Sequence, residues 1–96
     1  MDKVISLCQL AIRSRKVAIG SQLIPSIQKQ SACIVLYSSD CGDNRKKKLK
    51  DKCTFYNVPV YEIDPLVFNQ ITNDPIQSLA ILDKGFAQAI INKMKG

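Results

Sequence analysis

The chain has no histidine and no tryptophan among its 96 residues. Without histidine there is no Ser-His-Asp or Cys-His arrangement, and one of the two usual zinc ligands is missing. Cys8, Cys33, Cys41 and Cys53 include no CxxC pair, and their gaps match no zinc pattern. The sequence therefore predicts no metal, no cofactor and no enzyme built on these groups. No glycine-rich phosphate loop is present. No stretch approaches the ~20 apolar residues of a membrane span, and Met1-Asp2-Lys3-Val4 does not open an apolar run with a cleavage site. A cytoplasmic protein without a membrane partner is the expectation. Internal repeats, low-complexity segments and linkers are also lacking, so one domain over residues 1–96 is expected.

Hydrophobic residues make up 46% of the sequence, enough for one modest core. Eleven lysines and three arginines face eight acids, a formal charge of +6. Such an excess favours a polyanionic partner: RNA, DNA or an anionic surface.

Helices alternate with short strands along the chain. Val4, Leu7, Cys8, Ala11 and Ile12 keep a 3.6-residue period and predict a helix over 3–14. Arg13, Arg15 and Lys16 crowd its C-terminal end, where positive charge suits the helix dipole. Residues 16–19 read as extended, and Gly20 punctuates them. A second helix is expected at about 21–30, with Ser21 as N-cap and Pro25 in the first turn. Residues 32–37 form the clearest strand, nearly continuous in apolar character. Asp43 or Asn44 can cap a third helix at 44–56, in which Leu49, Cys53 and Tyr56 share a face. Residues 58–62 read as a strand limited by Pro59. Asp64 and Pro65 are expected to open a short helix through Gln70. Asn73-Asp74-Pro75 turns the chain, 76–82 is a strand, and Asp83 can cap a last helix at 84–94. This alternation predicts a sheet covered on both faces. Cys8, Cys33 and Cys53 fall on apolar faces and read as buried thiols, with Cys41 in a polar turn. Phe55, Tyr56 and Tyr61 read as core or half-buried.

Three segments carry a resemblance. They are LCQLAIRSRK at Leu7–Lys16; residues 40–60 with Lys47, Lys48, Asp51-Lys52-Cys53, Tyr56 and Val58-Pro59-Val60; and LDKGFAQAI at Leu82–Ile90. In their order and spacing the chain resembles the YlxQ-like bacterial proteins. These are ribosomal-protein-like members of the superfamily, the L-seven-Ae type, that binds kink-turn RNA. The resemblance implies a three-layer α/β/α sandwich around a four-stranded mixed sheet. It also implies a site for structured RNA, possibly ribosomal RNA, built from two elements. One is the turn into the second helix, where Gly20, Ser21 and Gln22 match the family's glycine and polar pair. The other is the loop at Ile63, Asp64, Pro65 and Leu66. The chain departs from the pattern at two places: Pro25 occupies the position of the family lysine, and Arg15 stands where many relatives have glycine. These losses count against high-affinity binding to a standard kink-turn and leave the basic surface in place.

At that site the N-terminus of the second helix would aim N–H groups at a phosphate. The Gln22 amide, both donor and acceptor, suits a base edge; a solvated first-turn residue is the plainer account, as a simple cap is for Ser21. Arg13, Arg15 and Lys16 would add phosphate attraction if they fold beside the turn. Lys29, near the far end of the helix, is a weaker addition. Six of the eight residues from Arg45 to Lys52 are basic. Arg45, Lys46, Lys47, Lys48, Lys50 and Lys52 form either an auxiliary RNA or ribosome contact or a solvated helix face. A module that docks on the ribosome or a translation factor is the competing function, and a thiol regulator acting through Cys41 is a third.

Overall fold

Five consecutive residues, Ile34–Ser38, are buried, which is what a strand covered on both faces requires. They form β2, at the centre of the computed structural model, which describes residues 2–72 and 75–95. The order is α1 (Asp2–Arg13), β1 (Val17–Ala18), a 3-10 turn (Gly20–Gln22), α2 (Leu23–Gln28), β2, α3 (Asp43–Phe55), β3 (Val60–Ile63), α4 (Pro65–Phe68), β4 (Ser78–Ile81) and α5 (Lys84–Lys95). Asn73 and Asp74 of the expected turn lie outside the described residues.

The strands lie in the order β1-β4-β2-β3. β4 is antiparallel to both neighbours, while β2 and β3 run parallel with α3 as their crossover. Side chains alternate between two cores. Ile34 and Leu36 of β2, with Leu79 and Ile81 of β4, meet Val4, Cys8 and Ala11 of α1, Phe68 of α4, and Ala87 and Ile90 of α5. Val35, Tyr37 and Ala80 turn the other way, onto Leu23 and Ile27 of α2 and Leu49 and Cys53 of α3. The expected α/β/α sandwich with a four-stranded mixed sheet is what the chain forms.

Several local expectations change. Neither Ser21 nor Asp43 nor Asn44 is a cap. Ile19 precedes the 3-10 turn and Gln22 precedes α2, both without a side-chain cap bond, and Gly42 precedes α3. Asp64 and Asp83 do cap: their Oδ1 atoms accept from the Leu66 N–H (2.8 Å) and the Phe86 N–H (2.9 Å). Cys33 is only partly buried. Phe55 is 77% exposed, because α3 turns Leu49 and Cys53 inward and position 55 lies on the opposite side.

Three helices end in the same way on three different non-glycine residues. After α1, the Arg15 N–H donates to Ile12 O and the Lys16 N–H to Ala11 O, with Arg15 at φ 58°. After α2, Gln30 and Ser31 repeat the pattern on Ile27 and Ser26. After α3, Asn57 and Val58 repeat it on Thr54 and Cys53. Gln30 and Asn57 have φ 61° and 59°. Each is a Schellman motif, whose left-handed residue is usually glycine. Arg15 therefore meets under strain a backbone requirement that glycine would meet freely.

Arg15→Gly and Gln30→Gly are expected to raise stability by roughly 0.5–1 kcal/mol each. Asn57→Gly should gain less, since asparagine tolerates this conformation. Urea unfolding midpoints check this, and a lower midpoint for Arg15→Gly contradicts it. Burial pushes the Cys8 thiol up to about 12 and Cys53 up to about 11. Above the ordinary thiol value of 9.0 the unfolded chain sheds these protons and the folded one does not. Stability therefore falls as pH rises past that point. A thiol reagent at pH 8 should reach Cys33 and Cys41 in the folded protein, and Cys8 and Cys53 only on unfolding.

Candidate nucleic-acid interface

β1, β2 and β3 all run in one direction, so the segments that follow them emerge at one end of the sheet. Gly20–Gln22, residues 39–42 and residues 64–66 meet there, beside the start of β4. The turn and the Asp64 loop lie on opposite edges, three inter-strand steps or roughly 14 Å apart. Between them stands Arg45, whose Nη2 donates to Ser78 Oγ at 3.0 Å. The basic run thus begins at the end of the sheet that carries the two predicted elements, far from them only in sequence. Lys46 pairs with Glu62 Oε1 of β3 at 3.4 Å. Lys47, Lys48 and Lys50 are exposed on the outer side of α3, and Lys52 is half-buried.

Gly20 has φ +59°, and an added Cβ would meet nothing within 4 Å. Glycine is needed there for backbone conformation rather than for space. The turn it opens is 3-10: the Gln22 N–H donates to Ile19 O at 3.1 Å, and the Leu23 N–H to Gly20 O. The Gln22 and Leu23 N–H groups are thus engaged within the turn rather than free to face a phosphate. Ser21 and Gln22 are exposed, and no side-chain hydrogen bond engages either among the described residues.

A groove of about 300 Å³ leads away from this turn along the outer flank of α2. Its walls include Ser21, Gln22, Pro25, Lys29, Ser31 and Leu82. Lys29 is one helical turn beyond Pro25, so a cation lines the same groove as Pro25. Its distance along the helix hides in the sequence that Lys29 shares a face with Pro25. The visible signal was the i, i+4 spacing from Pro25.

Arg13, Arg15 and Lys16 do not fold beside the turn. They sit at the other end of β1, roughly 13 Å away over four extended residues. The backbone links only Lys16 to a groove residue, through the Leu82 N–H that donates to Lys16 O at 2.7 Å. The cluster and the turn thus do not form one patch, and none of the three cations lines the groove.

In the second loop the Ile63 side chain is 1% exposed and belongs to the core. Its carbonyl accepts from the Ser39 N–H at 2.9 Å, so Ile63 anchors the loop and offers no side chain to a ligand. The Asp64 carboxylate is occupied as a cap, and Pro65 is half-buried. Leu66 projects into solvent, 74% exposed. Asp40 follows β2 and Asp64 follows β3, so both carboxylates emerge at this end of the sheet, where Glu62 pairs with Lys46. Burial raises the Cys41 thiol despite Lys46 and Arg45 nearby, which is the reverse of activation.

No protein-family model matches the chain. It is 34% identical over 97 aligned positions to RNA-binding protein YlxQ of Enterococcus faecium, covering 99% of this chain and 94% of that protein. With RNA-binding protein YlxQ of Bacillus subtilis it shares 35% identity over 89 positions, covering 90% of this chain and 89% of that one. A solved structure of a Bacillus halodurans protein of unknown function superposes with a TM-score of 0.88 at 29% identity, covering 97% of both chains. The Giardia lamblia 15.5kD RNA binding protein shares the fold, with a TM-score of 0.77 at 15% identity over 97% of this chain and 85% of that one. Identity at this level across 99% of its length places the chain in the YlxQ family.

Proposed function

We propose that the chain is a non-enzymatic, cytoplasmic, single-domain protein that binds structured RNA, with ribosomal RNA among its candidate targets. The observation that carries this reading is the α2 groove. It brings the unengaged side chains of Ser21 and Gln22 together with Lys29 in one groove, and the main chain of its wall residue Leu82 is bonded to the Lys16 carbonyl. Lys29, Arg13, Arg15 and Lys16 supply phosphate attraction, while Ser21 and Gln22 read base edges. The names of the curated YlxQ relatives agree with this chemistry. The proline at position 25 and the 3-10 turn both reduce what a standard kink-turn would meet.

A second reading rests on the opposite loop. Exposed Leu66 beside Asp64 and Glu62 suits a basic protein partner better than RNA. A ribosomal protein or a translation factor would fit that surface, and binding to it would survive nuclease treatment.

Lys29→Glu is expected to weaken binding to a labelled kink-turn RNA and to an unrelated hairpin alike, and to lower the salt slope by about one. Gln22→Ala should change the preference between the two RNAs and leave the slope unaltered. Arg15→Gly should weaken binding while raising stability, two effects of opposite sign from one residue. An unchanged affinity and slope for both charge variants removes the groove from the interface.

A further inference from the structure

The outer flank of α3 is not used by the groove above. Lys46 forms the one ion pair found among the described residues, and Arg45 is tied to Ser78. Lys47, Lys48, Lys50 and Lys52 are left without an anionic partner there. Repulsion between like charges one turn apart is unfavourable unless something anionic lies across them. A surface groove of about 620 Å³ runs along this flank, lined by Lys47, Lys48 and Lys52 and closed at its lower end by Phe55 and Tyr56. Asp51 also lines it and is the one carboxylate in the wall.

Phe55 is the second observation. A phenylalanine 77% exposed at the end of a lysine stripe has no role in either core. Its ring meets Tyr56 edge-on, with centroids 4.8 Å apart and planes at 72°. That contact fixes the ring from one side and leaves a face open. A basic track ending in an open aromatic face is the recognition chemistry of a single strand, with phosphates on the lysines and an unpaired base on the ring. A duplex would satisfy the lysines and leave the ring idle, because its bases are already stacked.

We infer that the α3 flank is a second RNA contact that takes a single-stranded segment, with Lys47, Lys48 and Lys52 holding its backbone and Phe55 stacking one base. α3 spans about 20 Å, enough for several nucleotides. Its first residues lie at the sheet end with Gly20–Gln22, and α2 packs beside it through Leu23, Ile27, Leu49 and Cys53. A strand leaving structured RNA at the turn would therefore find this track on the same layer. The inference rests on the reading of the chain as an RNA binder but uses none of the α2 groove residues.

The test uses the full chain with two probes, a short oligouridine and a short RNA duplex, read by fluorescence anisotropy over a salt series. Phe55→Ala is expected to weaken oligouridine binding roughly ten-fold and to leave the duplex within about two-fold. Phe55→Tyr should restore binding. The triple variant Lys47→Gln, Lys48→Gln, Lys52→Gln should lower the salt slope for oligouridine by about two. Thermal unfolding should be unchanged in Phe55→Ala, whose ring lies outside both cores. Equal losses on both probes, or none in either variant, overturn the inference. If Lys29→Glu still weakens binding to the kink-turn RNA and the hairpin, the α2 groove stands without the α3 track. If it does not, both readings fall together.

Discussion

Two-sided burial of the β2–β4 pair is the constraint on which the rest of the molecule depends. Ile34, Leu36, Leu79 and Ile81 face one core, and Val35, Tyr37 and Ala80 face the other. A register slip of one residue would exchange the two sets and place Tyr37 where Leu36 packs. Because both faces are apolar, every helix has a surface to bury against and no strand interior is left for chemistry. Polar function is thereby pushed to the sheet's ends and the helices' outer flanks, where the unengaged cations are found.

The sequence made the layers legible because they depend on periodicity. α1, α5 and β2 announce themselves in the spacing of Val4, Cys8 and Ala11, of Ala87 and Ile90, and in an unbroken apolar run. The caps at Asp64 and Asp83 were legible for the same reason: one residue type acts over three positions. Ser21 failed as a cap although its residue type was right. Gly20 takes φ +59° and a 3-10 turn follows, so the cap position moves to Ile19, which has no hydroxyl.

The site was less legible than the fold, since it depends on which end of a strand each residue meets. Arg15 and Gly20 are neighbours in sequence, yet a two-residue strand and its flanks separate them. Arg45 and Gly20 are far apart in sequence and share one sheet end through three aligned strands. Phe55 is a different case: the shared face of Leu49 and Cys53 was legible and places position 55 opposite it, but the residue's apolar type suggested the core.

The common direction of β1, β2 and β3 has a further consequence. Segments that emerge together at one end touch a ligand without taking part in the sheet's register, so they can change without unmaking the core. The exposed Pro25 of α2 shows a similar independence: the helix forms around it, and Leu23 and Ile27 pack into the core. Folding and recognition are thus separate inheritances in this chain. The scaffold can hold its shape while what the sheet end presents is rewritten one exposed side chain at a time.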